Sequence, residues 1–205
     1  MMTEKAREPS VVSFDIEVLD RMELALLQVQ ERLSRSTSAI EAAGVAYALG
    51  GSNATALWIA TVDTAAVRHA RNVEIVMLRS DIDLARSVLE AVGFVSQVYG
   101  KGQRFLDGPN GAIRDSLDIT FGKEPVVGPS PTEIAPDPTE SQTLDNVRVL
   151  HLYRLVSFQL ARYRLDDAVD LRDMIEVGLI DATWPAKFKP ELAARLQHLL
   201  DTPDG

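Results

Sequence analysis

A five-residue apolar stretch, Val45-Ala46-Tyr47-Ala48-Leu49, runs into Gly50-Gly51-Ser52 and from there into a helix-like segment that ends near Ala60. This join constrains the fold more than any other feature of the chain. A buried strand turns directly into a helix only where the corner residues tolerate an unusual backbone, and glycine does so at little steric cost. The same corner leaves backbone N–H groups free at a helix N-terminus, where the peptide dipoles favour an anion. Gly50, Gly51 and Ser52 are therefore candidate phosphate ligands, with Ser52 adding a hydroxyl donor. Taken alone, the glycine pair is explained more economically as a tight turn.

The flanking sequence supplies the other elements. Leu19, Met22, Leu26, Val29, Leu33 and Ile40 follow helical spacing, which predicts an amphipathic helix from about Asp15 to Ala43. Gly44 closes it, and Ser38 with Glu41 forms a capping-box pattern that offers a break. Residues 1–12 read as a frayed polar tail. Downstream, Asn72 to Leu78 is rich in β-branched residues and reads as a strand. A helix over about 81–92 follows Ser80, then strands over 94–99, 103–107 and 115–121. Residues 122–143 hold five prolines and read as a loop; 147–150 is a short extended piece. Helices are predicted over 151–163, 166–177 and 190–200. The order predicts an α+β fold: a small mixed β-sheet flanked by helices, followed by a helical C-terminal part. The expected division is an α+β domain at 13–122, a proline-rich linker at 123–146, and a helical region at 147–205 packed on the first.

Composition narrows the chemistry. The chain of 205 residues is 46% hydrophobic, enough for a core, and carries a net charge of −9. That charge argues against general nucleic-acid binding, which needs a basic face. With no cysteine, disulfides, thiolate zinc sites and cysteine nucleophiles are excluded. The three histidines (His69, His151, His198) are scattered, so a metal here would be a hard cation held by oxygen, magnesium first. There is no long apolar run and no leader-like pattern, so the expectation is a soluble, cytoplasmic protein without membrane partners.

Asn72-Val73-Glu74 puts two polar side chains on one face of a strand, because positions i and i+2 point the same way. Paired acids so placed, joined by a third from a neighbouring strand, are the usual two-metal phosphoryl-transfer arrangement. Asp118, in Ser116-Leu117-Asp118-Ile119-Thr120, is the candidate third acid. Half-exposed strands also alternate in this way with no ligand, so solvated strand residues remain the plain alternative. Asp81-Ile82-Asp83 resembles a metal motif more closely, but it falls in the first turn of a helix, where residues two apart diverge by about 200°. Those acids are better explained by the helix dipole. Arg68, His69, Arg71 and Arg79 form a small basic cluster, suited to phosphates or to a solvated, ion-paired loop.

The order Leu49-Gly50-Gly51-Ser52, a helix, then Arg68-x-Ala70-x-Asn72-Val73-Glu74-Ile75 resembles the nucleotidyltransferase superfamily, of polymerase-β-like fold. It is most similar to small bacterial, abortive-infection-type members, in which Arg-x-Thr-x-Asp-h-Asp-h follows a Gly-Gly-x-Ala helix. Gln159, Arg164, Asp166-Asp167 and Asp170-Leu171 echo the helical segment that follows the catalytic domain in those relatives. The resemblance implies a nucleoside triphosphate bound with Mg²⁺ and transfer of a nucleotidyl group to a hydroxyl acceptor. It assigns phosphate binding to Gly50, Gly51, Ser52, Arg68 and Arg71. It assigns metal to Asn72, Glu74 and Asp118, with Glu74 and Asp118 catalytic. The departures are Asn72 for the first Asp, Ala70 for Thr, and Gln159 for Lys. Asn can ligate a hard cation but brings no charge, so the expected metal site is weakened. The alternative is a catalytically impaired relative that serves as a nucleotide-binding or protein-interaction module of the toxin–antitoxin kind.

Overall fold

The computed structural model describes residues 16–203. The tail at 1–12 and the predicted start of the first helix at Asp15 lie outside the described residues. The first helix, α1 (Ile16–Ala42), runs unbroken through Ser36-Thr37-Ser38. The Ser36 and Thr37 hydroxyls bond back to the Leu33 carbonyl, which satisfies them without ending the helix. Its apolar stripe is buried only from Val29 onward; Leu19, Met22, Leu24 and Leu27 are exposed. The spacing predicted one buried face along the helix, but among the described residues its apolar side chains are buried only in the second half of α1.

The strands are β1 (Tyr47–Gly50), β2 (Val73–Met77), β3 (Phe94–Tyr99), β4 (Gly102–Asp107), β5 (Leu117–Phe121), β6 (Ser141–Leu144) and β7 (Val147–Leu150). They form one mixed sheet in the order β3-β4-β5-β2-β1-β7-β6. The segment expected to be loop to residue 143 thus ends in a strand. β6 and β7 form a hairpin through Asp145 and Asn146, both at positive φ, which a tight two-residue turn requires. β7 then lies parallel to β1. The extended piece expected at 147–150 is β7; the four-residue edge strand β6 carries little periodicity, which is why the sequence pattern hides it.

The helices after α1 are α2 (Gly51–Ala60), α3 (Ile82–Ala91), α4 (Leu152–Arg162), α5 (Leu165–Glu176) and α6 (Pro190–Asp201). One core joins the sheet residues Leu49, Ile75, Phe105 and Leu117 to Val29 and Ile40 of α1 and to Leu89 of α3. A second core is helical, with Phe158 and Leu160 of α4, Met174 of α5 and Leu196 of α6 closing on Ile59 of α2. α2 is therefore the splint between sheet and helical part, and both the Gly-Gly corner and the α4–α5 junction meet there.

Candidate functional site

The register of the sheet creates the site. Gly50 pairs with Glu74, Glu74 with Asp118, and Asp118 with Arg104, so one row crosses β1, β2, β5 and β4. Directly opposed residues share a face, which places both acids and the glycine corner on the same side of the sheet. Asn72, the first residue of the strand expected over 72–78, stands just before β2, which begins at Val73, and is exposed. Its amide donates to Asp118 Oδ2 at 3.4 Å.

Gly51 opens α2 with φ +57°, a left-handed conformation that favours glycine. A Cβ at Gly51 would lie 2.8 Å from Glu74 Oε2, whereas one at Gly50 would meet Val76 at 3.3 Å. The second glycine is thus needed for Glu74 to reach the corner, whatever else binds there. Gly51→Ala is expected to destabilise the fold by about 1–3 kcal/mol and Gly50→Ala by less, read as denaturation midpoints. Equal losses would show that the glycine pair acts only as a flexible turn.

Glu74 is buried, 6% exposed. Thr120 donates its hydroxyl to Glu74 Oε1 at 2.7 Å, and Arg162 Nη1 donates to the same oxygen. Arg164 Nη2 approaches Oε2 at 3.4 Å. Burial by itself would raise the Glu74 carboxyl; the charges of Arg162 and Arg164, aided by Thr120, outweigh it and hold the carboxyl below its ordinary range. Arg162 also donates Nη2 to Asp167 Oδ1 at 2.5 Å, and Asp167 accepts the Arg164 backbone N–H at 3.0 Å. This last bond caps α5. Between the two arginines stands Tyr163 at φ 46°, a left-handed non-glycine residue that ends α4 and turns both cations onto Glu74.

These residues do not fit a two-ion magnesium site. Both oxygens of Glu74 are engaged by donors, two of them guanidinium groups that take the place of external cations. Asp118 faces the Asn72 amide and Arg104 Nε, 3.6 Å away. Among the described residues there is no cluster of three or more acidic or histidine side chains able to hold a metal. In the sequence, Arg164 stands out only through the resemblance, in the helical segment that follows the catalytic domain. Glu74, the partner of Arg162 and Arg164, lies 88 and 90 residues away, a separation that local pattern does not reveal.

The start of α2 opens onto a cleft of about 390 Å³ lined by Ser52, Ile59, Arg68, Arg71, Asn72 and Asp170, among others. Ser52 donates its hydroxyl to Asp170 Oδ2 at 2.8 Å, and Gln159 donates to the same oxygen at 3.0 Å. Burial, reinforced by the charges of Asp167 and Asp173, pushes the Asp170 carboxyl up to about 7 against the Ser52 hydrogen bond and the Arg68 charge. Arg68 pairs with Asp173 at 2.6 Å and Arg71 with Asp115 at 2.9 Å, both on exposed side chains. Asp81 and Asp83 lie apart from this site at the start of α3, where Asp83 pairs with Arg86. Ser80 bonds Asp81 and does not cap the helix.

No family model matches the chain, and no curated protein matches its sequence. Among solved structures it is similar to JHP933 from Helicobacter pylori, 15% identical, covering 89% of this chain and 76% of that one with a TM-score of 0.50. It is equally similar to an H. pylori protein provisionally described as a nucleotidyltransferase, at 15% identity, 89% and 79% coverage and a TM-score of 0.50. At such identities the likeness is one of fold. The α+β architecture is nucleotidyltransferase-like, with the mixed sheet and the helical C-terminal part in place.

Proposed function

We propose that this chain binds a nucleoside triphosphate in the cleft at the start of α2, and that the acid site beside it is neutralised from within by arginines. The reading rests on one observation above others: the Glu74 carboxylate, the acid nearest the glycine corner, is held by Arg162 and Arg164. Phosphates would lie against the Ser52 end of α2, within reach of Arg68 and Arg71, whose exposed guanidiniums exchange a carboxylate for a phosphate at little cost. The apolar wall at Ile59 and Val169 would take the base.

Calorimetric titration with ATP, GTP, CTP and UTP, in Mg²⁺ and in EDTA, tests this reading. At least one triphosphate is expected to bind with an affinity that changes less than about threefold between the two buffers, with no labelled nucleotidyl group transferred. The double variant Arg68→Ala/Arg71→Ala should weaken that binding by about tenfold or more. Absence of binding by all four would overturn the proposal.

A second reading, Mg²⁺-dependent transfer to a hydroxyl acceptor, is favoured by the register that sets Gly50, Glu74 and Asp118 in one row. Asn72→Asp separates the two. While Arg162 and Arg164 hold Glu74 the variant should gain no transferase activity; if it transfers, the arginine cage is not the barrier.

A further inference from the structure

A second cavity, of about 690 Å³, shares no lining residue with the α2 cleft. It is enclosed by the end of β5, the tip of the β3–β4 hairpin, the segment around 124–127, and the α4–α5 junction. Two properties set it apart from the rest of the molecule. Its walls include Phe121, Val126 and Phe158, and at its lining Val127 is 91% exposed and Tyr99 is exposed, with the Arg104 guanidinium over its ring at 4.0 Å. Four cations also line it, Arg79, Lys101, Arg162 and Arg164, against one acid, Glu124, in a chain whose net charge is −9.

The balance of these charges defines what fits. Arg79 is taken up by Glu124 and lies over the Phe121 ring at 3.7 Å. Lys101 adds a charge beside that pair. Arg162 and Arg164 share Glu74 and Asp167. Set against Glu124, Glu74 and Asp167, the four cations leave a net positive charge, and the Arg164 side chain, 55% exposed, reaches solvent while bonded to Glu74 and Asp167. Arg162 lines the cavity with its side chain only 6% exposed, and among the described residues its Nε–H has no hydrogen-bond acceptor. A buried donor left without an acceptor is costly and points to an acceptor atom that arrives with a ligand.

We propose that this cavity binds a phosphate monoester carrying an aromatic or similarly flat apolar group. Several cations converge from different directions, which suits the three oxygens of a phosphate better than a carboxylate. The apolar walls and the exposed Tyr99 ring suit a stacked ring, and the volume is that of a small-molecule site. Thr120, Arg162 and Arg164 both line the cavity and hold Glu74, so an anion bound here competes with Glu74 for Arg164. Occupancy of the cavity is thereby coupled to the state of the acid site. The proposal is independent of the nucleotide reading at the α2 cleft.

The test is calorimetric titration of the whole protein, in EDTA, with phenyl phosphate, inorganic phosphate and benzyl alcohol. Phenyl phosphate should bind saturably, about tenfold or more tighter than inorganic phosphate, and benzyl alcohol should bind more weakly than phenyl phosphate. Tyr99→Ala and Lys101→Ala, both on the hairpin and away from the cores, should each weaken phenyl phosphate at least about threefold, while Arg68→Ala in the α2 cleft leaves it unchanged. If phenyl phosphate binds no tighter than inorganic phosphate, the apolar half of the proposal fails. If Arg68→Ala abolishes binding and Lys101→Ala does not, the ligand sits in the other cleft and the proposal is overturned. Loss of triphosphate binding with phenyl phosphate binding intact would sink only the nucleotide reading.

Discussion

Arg162→Met should destabilise the fold by about 3–5 kcal/mol near neutral pH, the cost of removing one partner from a buried ionic group. The wild-type guanidinium serves two carboxylates at once, Glu74 and Asp167, whose side chains are 8% and 1% exposed. Methionine fills comparable volume and keeps contact with Phe158, over whose ring the guanidinium now lies at 4.2 Å. What the variant loses is charge, and Arg164, half in solvent, cannot replace it. The pH dependence follows from the sign of each shift. In the wild type the Glu74 carboxyl is held low, so its contribution is present above the ordinary carboxylate range and is lost as pH falls through the folded value. In the variant the carboxyl keeps only the half-exposed Arg164 as a cation, burial weighs more heavily against its charge, and the penalty grows as pH rises above that range. Urea denaturation at pH 5 and pH 8 should therefore show the larger loss at pH 8. Adding Glu74→Gln to the variant should recover part of the loss, since an amide still accepts the Thr120 hydroxyl without a buried charge. A loss below about 1 kcal/mol at pH 8 would mean that the arginine cage is loose and open to a metal ion.

Asp170→Asn should act in the opposite direction, stabilising the protein at pH 8 by about 2–4 kcal/mol. Burial has pushed this carboxyl from its ordinary value up to about 7. A group whose folded pKa is raised contributes fully below its unfolded pKa, and that contribution is lost as pH rises through the folded value. The wild type therefore weakens between about pH 4 and pH 7 on account of Asp170. Asparagine has no such titration, and its carbonyl oxygen can accept from both Ser52 and Gln159, as Asp170 Oδ2 does. Thermal melts across pH 4–8 should show the advantage of the variant growing with pH and nearly vanishing at the acid end. A difference that does not change with pH would refute the argument. The same titration bears on binding: protonating Asp170 removes a negative charge beside Ser52, so triphosphate affinity should rise as pH falls from 8 to 6.

Most of the architecture was legible because it rests on local signals. The Gly50-Gly51 corner, the strand expected over 72–78 and found at 73–77, and the helix stop at Gly44 each depend on a few adjacent residues. Strand β6 and the parallel pairing of β7 with β1 were not legible, since a four-residue strand of mixed polarity has no distinctive period and its partner is about a hundred residues away. The site divides in the same way. Gly51, Glu74 and Asp118 could be singled out by type and spacing. Nothing local says that Arg162 and Arg164 land on Glu74, or that Ser52 bonds Asp170 across 118 residues.

The sequence by itself determined which residues could carry chemistry: a glycine corner for close approach, acids on adjacent strands, no thiols, an overall negative charge. Local stereochemistry and composition suffice for that. Only the tertiary structure decided what those acids face. Electrostatic partnership depends on distance in space, and the left-handed turn at Tyr163 that brings two arginines onto Glu74 exists only once α4 and α5 pack against α2. Asn72 alone suggests a weakened metal site; the packing sets the guanidiniums of Arg162 and Arg164 against Glu74.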